Sequence, residues 1–187
     1  MSRPAVIFDR DGVVNLTPGP GYVLSWEDFH FSPGIIQALA LCRTRGYATI
    51  LATSQQGVGK KLMSQADLDE IHTHMQTHLQ PHQAQFDGIY ACTCLKTDPG
   101  CTCRKPSAEM VLRAAAEHQL DLSRSLLIGD ADRDIEMGIQ AGVPVTIRIE
   151  SENPQRVTAT HTLPDTTGLH RLLEKLLEPT DLLVDDA

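Results

Sequence analysis

Asp9 and Asp11 flank Arg10 directly after the apolar run Ala5-Val6-Ile7-Phe8. Such a run reads as a buried strand, and burial should keep it free of charge. Carboxylates two positions apart in extended chain point to the same side. Gly12 follows Asp11, however, and permits a turn that re-aims it. Left alone the two would repel until one took a proton. A hard divalent cation relieves the repulsion, and Mg²⁺ suits a site with few protein carboxylates and a substrate phosphate. Asp130, which closes the run SLLIGD, supplies a third oxygen ligand from a separate strand. A phosphate brought to that cation would meet Asp9 as an attacking carboxylate and form an aspartyl-phosphate. Asp11 could protonate the leaving alkoxide and later take a proton from the water that hydrolyses the intermediate. Thr53 and Lys105 offer a hydroxyl and a cation for the charge that develops on the phosphoryl oxygens.

Strands alternating with helices must bring these residues together. The pattern predicts strands over 5–9, 47–53, 86–91, 125–130 and 143–149. Helices are expected over 33–46, 64–79, 107–119, 132–142 and 166–178, with Ser64 and Asp67 as a capping box and Ser107 as an N-cap. This is an α/β fold with a doubly wound, mainly parallel sheet. In such sheets ligands bind beyond the carboxyl ends of the strands. Asp9, Thr53, Ser54 and Asp130 end three of them, and Lys105 lies on the loop leaving a fourth. Each segment alone has a plainer reading: AVIFDRDG as a strand ending in an Asp-Gly turn, GDADRD as a helix start capped by Asp132. Their order along one chain changes the weighting.

ACTCLKTDPGCTCRKPS sets Cys92, Cys94, Cys101 and Cys103 in a C-x-C-x₆-C-x-C pattern around a Pro99-Gly100 turn. Four thiolates so placed can close a tetrahedral Zn²⁺ site with no open position, hence a structural one. Iron, free thiols and two disulfides are the alternatives. Cys103 runs straight into Arg104 and Lys105, so the metal would anchor the backbone that aims both cations. Cys42 reads as a small core residue. His72, His74, His78 and His82 lack the glutamate of a metalloprotease motif and read as a solvated helix face.

The chain has 187 residues and a formal charge of −8, without a basic run. That balance argues against nucleic acid or anionic membrane as a partner, but not against a small anion gripped locally. No apolar stretch is long enough for a transmembrane helix, and the start lacks a signal-peptide pattern, so a cytoplasmic, reducing location is expected. One domain over 1–178, an acidic flexible tail over 179–187 and a monomeric state are expected.

F-D-R-D-G, L-A-T-S, R-K-P and G-D-A-D-R-D together resemble the motifs of the haloacid dehalogenase-type phosphohydrolases. Residues 5 to 150 are similar to the heptose bisphosphate phosphatase and histidinol phosphatase branch, through D-R-D-G-V-V-N, G-Y-V, S-Q-Q-G, F-D-G-I-Y and C-x-C-R-K-P. The resemblance implies a HAD-like Rossmannoid fold without a separate cap domain. It implies Asp9 as nucleophile, Asp11 as acid/base, and Mg²⁺ on Asp9, the Asp11 carbonyl and Asp130. Thr53 and Lys105 would stabilise the phosphoryl group, with Arg10, Ser54, Gln55, Gln56 and Arg104 also binding substrate. Asp134 would orient Lys105 or belong only to its helix. Cys94 stands where this branch usually has histidine, and Ala131 where it often has lysine. The implied reaction is hydrolysis of the 7-phosphate of D-glycero-D-manno-heptose 1,7-bisphosphate. Histidinol phosphate is the alternative substrate, and a non-catalytic zinc-stabilised binding module the alternative of another class.

Overall fold

The computed structural model describes residues 2–19 and 21–179, so the expected acidic tail lies outside the described residues from Thr180 onward. Six strands alternate with helices: β1 (Ala5–Phe8), α1 (Ile35–Thr44), β2 (Ala48–Ser54), α2 (Gln56–Gly59), α3 (Gln65–Leu79), β3 (Gly88–Cys92), α4 (Glu109–His118), β4 (Leu126–Gly129), α5 (Asp132–Gln140), β5 (Val145–Ile149), β6 (His161–Leu163) and α6 (Leu169–Leu176). Every pairing is parallel, in the order β3-β2-β1-β4-β5-β6. Among the described residues no helix is long and apolar enough to cross a membrane.

The two-residue period of β1 sorts its side chains. Val6 and Phe8 join the core beneath α1, α3 and α6, whereas Ala5 and Ile7 join the core beneath α4 and α5. Helices thus cover both faces, which is why the strands read as unbroken apolar runs. From β1 the chain moves outward through β2 to β3, then crosses back so that β4 lies on the other side of β1. The crevice where the order reverses is the ligand-binding position of such sheets.

Two expectations need correction. The pattern predicts five strands and there are six: His161–Leu163 is short and only one of its residues is a strong apolar, so it carries no periodic signal. Ser107 does not cap α4; Ala108 takes that position, and the Ser107 hydroxyl accepts from Glu109 N at 3.3 Å, one residue early. The Ser64–Asp67 capping box is present in full.

Candidate active site

Asp9 leaves β1 with its N–H donating to Ile128 O of β4 at 2.9 Å, which fixes the carboxylate at the switch point. Lys105 Nζ donates to Asp9 Oδ1 and to Asp134 Oδ1, each at 2.7 Å, and all three side chains are buried. Burial alone would lower the Lys105 pKa, but Asp134 and Asp9 outweigh it and hold the ammonium charged. Asp134 also accepts from Ala131 N through Oδ2 at 3.0 Å, so it orients Lys105 and caps α5 together. Asp132 instead accepts from Arg148 Nη2 at 2.7 Å and from the N–H groups of Arg156 and Val157.

One cation does not balance this cluster. Carboxylate oxygens of Asp9, Asp130 and Asp134 lie within 4.8 Å of one another. Burial, aided by the neighbouring carboxylates, pushes Asp9 up to about 7 and Asp130 up to about 6. Asp130 Oδ1 is buried and has no hydrogen-bond partner among the described residues. Gly12, at φ +88°, comes so close that a Cβ would sit 2.7 Å from Asp130 Oδ2. An unpaired buried carboxylate oxygen beside a second carboxylate is the donor set a hard dication needs, and these residues fit Mg²⁺.

Asp11 turns away from that cluster, as the Gly12 turn predicts. Its carboxylate accepts from Arg10 Nε and Nη2 at 3.2 and 3.1 Å, Asn15 Nδ2 at 3.0 Å and Gln55 Nε2 at 2.9 Å. Burial would raise its pKa, but Arg10, Gln55 and Asn15 outweigh it and hold Asp11 below the usual carboxylate value. Arg10, expected to touch substrate, is instead fully buried behind Asp11. The reason is parity: Arg10 continues the Val6–Phe8 row and meets His72 of α3, 3.4 Å from Nη1 to Nε2.

Thr53 is buried at the end of β2, where its hydroxyl accepts from Gln55 Nε2 at 2.8 Å. The Ser54 hydroxyl is buried without a hydrogen-bond partner among the described residues, and Gln56, half-buried, opens α2. Arg104 is half-buried and donates to Cys94 O at 3.3 Å.

The four cysteine sulfurs form one group. Cys92–Cys101, Cys94–Cys103 and Cys101–Cys103 are separated by 3.6, 3.8 and 3.8 Å. A disulfide needs about 2.05 Å, whereas Zn–S bonds of about 2.3 Å place tetrahedral ligands about 3.8 Å apart. Without a cation, hydrogen bonding to Cys101 and then burial push Cys94 up to about 12, so a full set of thiolates requires one. The loop begins on β3 at Cys92, whose carbonyl accepts from Gln55 N at 2.7 Å.

Further residues surround this cluster. Asn153 and Ser151, on the loop after β5, bond Asp130, and no local pattern in that loop announces it. Arg133 sits in the field of Asp134, Asp9, Asp130 and Asp11, whose charges outweigh its burial and raise its pKa. Of the four histidines expected on a solvated helix face, His72 is buried, whereas His74, His78 and His82 are exposed; the exposed His74 and His78 still stack, on Trp26 with centroids 5.4 Å apart and on Phe31 at 4.9 Å. They fasten the loop before α1 onto α3.

A carboxylate–lysine–carboxylate cluster at the switch point of a parallel six-stranded sheet is the architecture of haloacid dehalogenase-type hydrolases. The model of the HAD-hydrolase-like family matches residues 102–165. A D-glycero-beta-D-manno-heptose-1,7-bisphosphate 7-phosphatase of Helicobacter pylori strain J99 is 36% identical over 154 residues, covering 82% of this chain and 86% of its own. A D-glycero-alpha-D-manno-heptose-1,7-bisphosphate 7-phosphatase of Campylobacter jejuni is 33% identical over 83% of this chain and 87% of its own. The crystal structure of D,D-heptose 1,7-bisphosphate phosphatase from B. bronchiseptica, complexed with magnesium and phosphate, superposes with a TM-score of 0.80 at 28% identity, over 92% of this chain and 98% of that one. The chain belongs to the heptose-1,7-bisphosphate 7-phosphatase family of HAD phosphatases.

Proposed function

We propose that this chain hydrolyses the 7-phosphate of D-glycero-D-manno-heptose 1,7-bisphosphate through an aspartyl-phosphate on Asp9. The observation that carries the reading is Lys105 held at 2.7 Å from both Asp9 and Asp134, next to the bare Oδ1 of Asp130. Mg²⁺ held by Asp9, Asp130 and the Asp11 carbonyl would supply positive charge to the phosphoryl oxygens. Asp9 attacks phosphorus, and the bond to the sugar oxygen breaks. Asp11 gives its proton to the departing alkoxide and recovers one from the water that cleaves the acyl phosphate. Arg10, Asn15 and Gln55 favour its ionised form, and the negative charge of an arriving phosphate opposes them and favours proton uptake. Lys105 and Thr53 stabilise the equatorial oxygens, and Arg104 and Gln56 line the opening towards the sugar. The cysteine group holds Zn²⁺ as a structural ion that keeps Arg104 and Lys105 in place.

Phosphate release should be measured side by side on both anomers of the heptose bisphosphate, fructose 1,6-bisphosphate and histidinol phosphate. One heptose anomer should lead in kcat/KM by about 100-fold over the last two, and Asp9→Asn should lower its turnover by about 10³-fold or more. Equal turnover on histidinol phosphate, or an Asp9→Asn variant as fast as its parent, would refute the proposal.

A further inference from the structure

The loop after β5 contains a two-residue bracket around Asp130. The Ser151 hydroxyl donates to the Asp130 carbonyl at 3.0 Å and accepts from Asn153 N at 3.2 Å and Asn153 Nδ2 at 3.0 Å. The second hydrogen of the Asn153 amide goes to Asp130 Oδ2 at 2.8 Å. Asp130 can only accept when ionised, so this network also fixes which side of the amide faces it. Both hydrogens of the Asn153 amide and the Ser151 hydroxyl proton are used, and one carboxylate oxygen is occupied. Oδ1, the oxygen left over, is the one that is buried and unpaired among the described residues.

We propose that Asn153, supported by Ser151, is a positioning residue for the divalent cation: it locks the Asp130 carboxylate in the rotation that presents Oδ1 to the ion. The inference rests on the reading of Asp9 and Asp130 as cation ligands. The physical ground is general. A ligand oxygen binds well when its partner oxygen is already tied down, because the carboxylate then has no rotation left to lose. The bracket is itself held from behind. Asp132 accepts from Arg156 N and Val157 N, and Arg148 Nη2 donates to both Asp132 Oδ1 and Val157 O, at 2.7 and 2.9 Å. The loop therefore reaches Asp130 from a fixed base on β5 and α5. Gly12 closes the other side, since its missing Cβ leaves the space that Asp130 Oδ2 occupies.

The test is direct Mg²⁺ binding by calorimetry, with Mn²⁺ binding by electron paramagnetic resonance as a second probe, on the full chain as purified. Asn153→Ala should raise the dissociation constant of either ion by about 10- to 100-fold. Ser151→Ala, the milder change, should raise it by less and serves if Asn153→Ala does not fold. Asp130→Asn should abolish binding. The Mg²⁺ concentration needed for half-maximal phosphate release should rise with the dissociation constant, while the melting temperature without added ion stays near that of the parent. Binding by the parent that both loop variants leave within about twofold would overturn the bracket alone. A parent that binds neither ion would overturn the cation reading and the bracket with it.

Discussion

Arg10 is wholly buried, and its guanidinium joins Asp11 to His72. Burial first, and then the Arg10 charge, push His72 down to about 4, so the ring stays neutral and accepts from Arg10. A histidine whose folded pKa lies below its ordinary 6.5 contributes stability that is whole above 6.5 and lost as pH falls towards 4. His72→Gln keeps an acceptor and removes the titration. Urea unfolding at pH 7.5 and 4.5 should show the parent losing about 2 kcal/mol more than the variant between the two. Parallel losses would dismiss the argument. At this scale the sequence was legible wherever identity and local spacing decide: Asp9, Asp11, Asp130 and Lys105 converge on one edge. It was not legible for Arg10, whose surroundings depend on His72, sixty-two positions away. Nothing near Asn153 marks it either, because its partner Asp130 lies twenty-three positions away, just after β4.

Helix ends divide in the same way. Ser64 and Asp67 bond each other's backbone within four residues, so the sequence alone reveals that cap. The start of α5 offers two aspartates, and β5 decides between them: Arg148 captures Asp132, leaving Asp134 to cap and to hold Lys105. The cysteine cluster is legible because all four thiols are close in sequence. Cys103 is followed directly by Arg104, which donates to Cys94 O, so the ion would govern where that cation sits. Chelating the metal from purified protein should lower the melting temperature by on the order of 10 °C and reduce phosphatase activity. Melting and turnover that both survive chelation unchanged would refute a structural ion.

The sheet as a whole shows what periodicity leaves open. Apolar runs reveal that strands exist, but not that β4 crosses to the far side of β1, and that crossing places Asp130 beside Asp9. Residues of β1, β2 and β4 are buried almost throughout, whereas β6 is a short edge strand without a buried residue. Native-state hydrogen exchange should therefore be slowest in β1, β2 and β4 and orders of magnitude faster in β6. Equal protection in β6 would contradict this arrangement of the core. A last consequence concerns redesign. At Gly59 the backbone of α2 abuts the cysteine loop, so that any side chain there would run into Thr93 O and come within 3.3 Å of Leu95 N. These two segments therefore fit together like a key and its ward. A cysteine loop grafted from a relative should pack only when the 55–63 segment is transplanted with it, and libraries that vary one of the two alone will mostly sample mismatched pairs.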